Sequence, residues 1–385
     1  MRVYLDHNGT TPLRPEARER LVELLGAPLG NPSATHASGR RARAVIDDAR
    51  AEVAAALGVD EDWVVFTSGG TEANNTALRG VIGRAPGSSA LLVGATEHSS
   101  VLETARALAA EGAELEVVPV DGAGHLDLAG LPELLEARRP ALVSFMLANN
   151  ETGARAPMES LRGCLAAAPS RPVWHCDAVQ GLGKLPLDLA GWGVDLASLS
   201  PHKVGGPVGV GILICRPGVD VAPLLTGGGQ EVGARSGTES AAAIGAAATA
   251  VRLAVSEQEQ HARRARELTR ALWAGIEGLS AGAQLVGPPL EEPSRLPNTL
   301  CVLLDGVDGR GLVARLDLEG LEVSQGSACS SGAIEPSHVL LAMGHDESAA
   351  RSALRLSLGA TTTHSDVHIA VERLGKALQA ASSSR

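Results

Sequence analysis

The sequence predicts an α/β fold, with a large domain built on a mainly parallel seven-stranded sheet between helices and a smaller α+β domain beside it. Three observations carry this expectation. Short apolar runs alternate with helical stretches through the first half of the chain, the pattern of strands joined by helical crossovers. Sheets of that kind are covered on both faces, which suits runs this apolar. At 385 residues, the chain has room for two domains of ordinary size and a large core.

After a polar entry from Asp6 to Pro12, Pro15–Leu25 reads as a short helix closed by Gly26. A longer helix follows Ser38, where Ala42, Val45, Ile46, Ala49, Val53, Ala56 and Leu57 keep helical spacing and Gly58 ends it. The expected strands of the large sheet are Trp63–Thr67, Ala90–Gly94, Leu115–Val120, Ala141–Leu147, Val173–Cys176, Leu196–Leu199 and Gly209–Cys215. From Glu239 to about Leu279 the chain is first Ala-rich and then charge-rich, as one long helix or a pair. Short strands at Thr299–Leu304 and Leu354–Leu358 belong to the second domain. The boundaries read 12–256 for the large domain and 257–385, together with 1–11, for the small one.

Composition narrows the function. The chain is 44% hydrophobic and 20% charged, with no apolar run long enough to span a bilayer, so no membrane association is expected. A net charge of -11 and only two Phe and one Tyr argue against direct nucleic-acid binding. The first residues carry neither a signal-peptide core nor a transit pattern, which points to the cytoplasm. Cys164, Cys176, Cys215, Cys301 and Cys329 are widely spaced, without metal-ligand or disulfide spacing, so no metal is expected. The first four read as small core residues.

From Leu196 to Cys215, Lys203 is the only charged residue. An ammonium in such a run must find a partner or lose its proton, and a neutral amine is what Schiff-base chemistry requires. Asp177 ends the apolar run V-W-H-C-D. A lysine for an aldehyde and an acid for a pyridinium nitrogen are what pyridoxal phosphate asks of a protein. A structural Lys–Asp ion pair on a rim is the other reading. W-V-V-F-T-S-G-G-T joins a strand to a helix through glycines, a place where backbone N–H groups receive phosphate. His98 in T-E-H follows a strand, and Asn149 and Asn150 end another, at the sheet edge where ligands bind. A structural histidine and simple turn chemistry remain open for these. Cys329, in S-Q-G-S-A-C-S-S-G, lies among glycines and serines on what should be an exposed, mobile loop, so a reactive thiol is expected there.

These stretches, with Y-L-D-H-N-G-T-T-P, G-N-P-S-A-T-H, N-N-E-T-G, S-P-H-K-V-G-G-P and R-S-G-T, stand in the order found in cysteine desulfurases. The chain resembles their NifS/IscS type, in the class V aminotransferase group of fold-type I pyridoxal-phosphate enzymes, from Tyr4 to about Gly359. The resemblance implies that Lys203 binds pyridoxal 5'-phosphate covalently, Asp177 pairs with its ring nitrogen, and His98 stacks on the ring and moves protons. It implies Asn150 and Gln180 at the ring oxygen, and Gly70, Thr71, Ser200 and His202 at the phosphate. Thr238 would reach the phosphate of a second subunit, which implies a homodimer. Asn31 and Arg355 would hold the carboxylate of the substrate L-cysteine. Cys329, on a loop of the small domain, would take the sulfur as a persulfide and pass it to a sulfur-acceptor or scaffold protein.

Pro201 and Val208 depart from the family's usual glycine and lysine, and Gln325 from a frequent serine, without removing a needed group. The C-terminal tail by which some members engage a scaffold is shorter here. A selenocysteine lyase or another transaminase or lyase of the same group would share Lys203 and Asp177 but depend less on a loop thiol.

Overall fold

A computed structural model describes residues 2–84, 90–279, 282–325 and 336–382. The chain opens with a two-residue strand β1 (Val3–Tyr4), and two helices, α1 (Pro15–Gly26) and α2 (Ala37–Leu57), precede the large sheet. Gly26 lies inside α1 rather than closing it, and the Ala27 N–H bonds back to the Leu24 carbonyl. Gly58 does end α2, in the left-handed conformation (φ +66°) that glycine adopts without a Cβ penalty.

The sheet comprises β2 (Val64–Thr67), β3 (Ala90–Gly94), β4 (Glu114–Val118), β5 (Leu142–Ser144), β6 (Val173–Asp177), β7 (Leu196–Leu199) and β8 (Gly211–Cys215). Its order is β2-β8-β7-β6-β5-β3-β4, and β8 alone runs against the others. Two helices, α3 (Gly70–Ile82) and α4 (Ser99–Ala110), follow β2 and β3 directly. Alternate strand residues enter different cores. Val64, Phe66, Leu92, Ile212 and Ile214 join one, while Val65, Leu91, Val93 and Leu213 join the other with α3 and α4. Each face is thus sealed by helices, as the apolar runs predict.

Several strand ends differ from the sequence reading. Trp63 belongs to a 3-10 turn (Glu61–Trp63) ahead of β2, and β8 starts only after Gly209, whose φ of +85° takes it out of strand geometry. Regular pairing of β5 stops at Ser144, although Phe145 and Leu147 still donate to the His175 and Asp177 carbonyls of β6. The edge strand β4 starts one residue earlier and ends two residues earlier than expected, and leaves Val117 exposed.

Beyond the sheet, Ala241–Ser256 and Gln258–Leu279 are two helices separated at Glu257. The remaining strands are β9 (Ala283–Val286), β10 (Thr299–Leu304), β11 (Leu321–Glu322) and β12 (Ala353–Ser357). Three form an antiparallel sheet of order β12-β10-β9, and β11 pairs with β1. Val3 and Leu5 share a core with Leu268, Leu272, Leu300, Leu356 and Leu374, which draws the N-terminal strand onto the C-terminal part of the chain. The link leaves residues 6–11 crossing the carboxyl end of the large sheet.

Cys176 and Cys301 are buried, and Cys164 and Cys215 half-buried. Burial pushes the Cys215 thiol up to about 11 and Cys301 up to about 12, so neither supplies a thiolate near neutrality. Among the described residues, no helix is long and apolar enough to cross a membrane, and no His, Cys, Asp and Glu group could hold a metal.

Candidate active site

The parallel strands end at one edge of the sheet, where their following turns converge. Gly70 and Thr71 open α3, and His98 caps α4. Asn150 lies beyond β5, Asp177 ends β6 with Gln180 just after it, and Ser200, His202 and Lys203 follow β7. All of these line one cleft of about 160 Å³, together with Asn8, Asn74, Ser100 and Val179.

Lys203 is placed by a short 3-10 turn, Pro201–Val204, which Gly205 closes at φ +82°. Its half-buried Nζ donates to the backbone oxygens of Asn8 at 2.9 Å and Gly9 at 2.6 Å. Burial brings the amine down to about 8, helped by Arg355 and opposed by Asp177 and Asp6. Among the described residues no ion pair joins Lys203 to Asp177, so the rim ion pair is not formed. The amine turns to the carbonyls of the N-terminal segment instead. Acylation of Lys203 in cofactor-free protein is therefore expected to rise with pH to a midpoint near 8, read by peptide mass. With only Lys184 and Lys376 as other lysines, the signal is unambiguous.

The Asp177 carboxylate is held on both oxygens. Oδ2 accepts from Asn74 Nδ2 at 2.8 Å and Oδ1 from the Val179 N–H at 3.1 Å. His98 Nδ1 accepts the Ser100 N–H at 3.1 Å, capping α4. Burial lowers the His98 pKa, with Lys203 adding to this and Asp177 opposing it. A neutral ring whose Nδ1 accepts carries its hydrogen on Nε2. His202 shares Nδ1 with Thr10 Oγ1 at 3.0 Å, and burial beside Lys203 brings its pKa down to about 4.

The residues fit a phosphate-bearing pyridine aldehyde. No side chain caps α3 at Gly69, which leaves its first N–H groups for an anion. A Cβ on Gly70 would meet Val179 Cγ2 at 3.1 Å and Ser200 Cβ at 3.5 Å, so the missing side chain keeps the cradle open. Glu72, the acid in that first turn, is occupied by a two-point contact from Arg235. Asn74 Oδ1 is buried in the cleft wall without a partner.

Three expected residues, Arg355, Asn31 and Thr238, are not in the lining of this cleft. Cys329 lies outside the described residues. Its neighbours in sequence are tied near the cleft: Ser324 exchanges backbone bonds with Arg355, Ser337 Oγ donates to Glu151, and His338 Nε2 donates to the Glu97 carbonyl. Arg355 is almost fully buried; it donates to Asp6 at 2.6 Å and reaches the Asn150 carbonyl at 3.4 Å, while its Nε has no partner. Asn31 is exposed, with Oδ1 taking the Ser33 N–H in a turn, and Thr238 is exposed.

Sequence reasoning missed Asn8, Asn74 and Lys184. Asn74 could have been found as a polar residue on the apolar face of α3. Asn8 Nδ2 donates to the Asn150 carbonyl and Thr299 Oγ1, and its own carbonyl receives both Lys203 and Gln180. That residue ties the N-terminal segment, the large sheet and β10 together around the amine.

Comparison with known proteins gives a consistent picture. The aminotransferase class-V family model matches residues 3–369. A cysteine desulfurase IscS of Dictyoglomus turgidum is 39% identical over 378 residues, covering 98% of this chain and 94% of its own. A cysteine desulfurase of Cereibacter sphaeroides is 41% identical over 375 residues, covering 97% and 95%. The solved structure of a NifS-like protein superposes with a TM-score of 0.92 at 36% identity, covering 98% of this chain and all of its own.

Proposed function

The chain belongs to the aminotransferase class-V family, and on that premise we infer that it is a cysteine desulfurase, which takes sulfur from L-cysteine, releases L-alanine and keeps the sulfur as a persulfide on Cys329. The observation that carries this is a half-buried amine, brought down to about 8, in one cleft with a fixed carboxylate and an uncapped helix start. The relatives named above support the activity.

Pyridoxal phosphate, when bound, supplies an electron sink that makes the substrate's Cα proton acidic and its sulfur open to attack. Lys203 holds the aldehyde, and its amine, once free, takes the proton from Cα. Asp177, held by Asn74 and the Val179 N–H, would pair with the ring nitrogen and keep it protonated. The α3 N–H groups with Ser200 and His202 would hold the phosphate, and Asn150 and Gln180 would bond the ring oxygen. His98 offers its Nε2–H to the leaving sulfur. Arg355 takes the substrate carboxylate, which a forked guanidinium suits, with Asp6 held against it beforehand; Asn31 assists. At Cys329 the thiolate forms the S–S bond as the substrate C–S bond breaks, and the carbon that loses sulfur gains a proton to become the alanine methyl.

The same reading assigns a homodimer in which Thr238 serves the neighbouring site. Exposed Val208, Leu225 and Val232 support it, Val232 standing out at a left-handed φ of 55°. On this reading residues 12–256 are the large domain and 257–385 with 1–11 the small one, which the core shared by Val3, Leu5, Leu300, Leu356 and Leu374 supports. The protein acts in the cytoplasm and hands its sulfur to an acceptor protein.

The test is to add cysteine to protein loaded with pyridoxal phosphate. Alanine should appear in equal amount to a reductant-labile sulfur on the Cys329 peptide. Alanine without that sulfur, or sulfide without alanine, contradicts the assignment.

A further inference from the structure

Lys184 is largely buried beside the cleft, yet both side chains its amine bonds to are neutral. Its Nζ donates to Asn8 Oδ1 at 2.8 Å and to Gln180 Oε1 at 2.5 Å. Among the described residues no carboxylate pairs with it. Unpaired buried lysines are costly, and this chain has only three lysines, of which Lys184 and Lys203 both bond to Asn8.

We propose that Lys184 is a positioning residue which commits Gln180 to present an N–H, rather than a carbonyl, to the cofactor cleft. The inference rests on the functional reading above. An amide side chain is ambiguous, since either end can face a pocket, whereas a lysine ammonium only donates. By taking Gln180 Oε1, Lys184 fixes the amide so that Nε2 gives one hydrogen to the Asn8 carbonyl at 3.1 Å and keeps the second for the cleft that Gln180 lines. The same contact orients Asn8, whose Nδ2 can then donate to Asn150 and Thr299. A ring oxygen opposite Gln180 thus meets a donor that stabilises its anionic form. Burial and the neighbouring Lys203 and Arg355 push the Lys184 amine well below its ordinary value. A neutral amine keeps two N–H groups, one for each of these amide oxygens, so both contacts can be made on either side of its titration. Titratable neighbours facing it are Lys203 from the cofactor turn, Arg355 from β12 and His7 from the N-terminal segment.

The test measures two quantities that a purely structural lysine would leave alone: the dissociation constant for pyridoxal phosphate and the pH midpoint of the visible band of the loaded protein. Lys184→Met should weaken cofactor binding about three- to tenfold, the worth of one hydrogen bond. It should also raise the midpoint, because the ring oxygen without its donor holds the nearby proton to higher pH. Gln180→Leu should do the same, and Lys184→Met should add nothing further in that background. Lys184→Arg also only donates, and a cavity of about 380 Å³ behind Lys184 gives the guanidinium room, so wild-type values are expected. Wild-type values in Lys184→Met, additive losses in the double variant, or Met-like values in Lys184→Arg overturn the proposal. If Lys184→Met does not fold, Gln180→Leu with wild-type values overturns it alone. A wild-type chain that takes up no pyridoxal phosphate overturns the function itself and this inference with it.

Discussion

Lys203→Ala is expected to reduce alanine formation from cysteine by on the order of 10⁴-fold or more, the usual result of deleting a covalent catalytic group. Two roles disappear together, the covalent hold on the aldehyde and the base at Cα. The rest of the cleft is not built on this side chain. Asp177 is held by Asn74 and Val179, and the uncapped start of α3 depends on Gly69 and Gly70. The variant should therefore still bind pyridoxal phosphate, reversibly, and lose it on gel filtration. Loss of folding is not expected, because among the described residues the Lys203 amine hydrogen-bonds only to the backbone oxygens of Asn8 and Gly9. Kinetics and cofactor retention on the same sample check both statements.

Cys329→Ala is expected to have an effect of similar size on cysteine and a smaller one on selenocysteine. A C–S bond needs a thiolate to receive the sulfur, whereas a C–Se bond is weaker and its selenium leaves with less assistance. Three other thiols offer no replacement: burial pushes Cys176 well above its ordinary value, Cys215 up to about 11 and Cys301 up to about 12. A large loss with cysteine beside a smaller one with selenocysteine supports the desulfurase. Retained cysteine activity in the variant would instead favour the lyase or transaminase readings that share Lys203 and Asp177.

The large sheet was legible because its strands are apolar, short and separated by helices, and its covered faces left little else for residues such as Leu91 to Val93 to be. Their ends were less legible. Trp63 has strand character locally, but the 3-10 turn before β2 claims it. In the site, Lys203 and Asp177 stood out because a charge interrupts an apolar run. Lys184 did not. It lies in G-L-G-K-L-P-L, where glycine and proline suggest an exposed turn, and its burial comes from Asn8, far away in sequence. The same holds for Arg355 and Asp6, joined only when β1 pairs with β11 and carries the N-terminal segment across the sheet. Contacts of that range follow from the packed topology and have no local signature.

The central claim is that the Lys203 amine, neutral enough to react, holds the cofactor. Borohydride reduction of the loaded protein, followed by peptide mass mapping, tests it most directly among just three lysines. The reduced pyridoxyl group should appear on Lys203, and on neither Lys184 nor Lys376. A label on Lys184, or a protein that takes up the cofactor with no lysine labelled, would contradict the account.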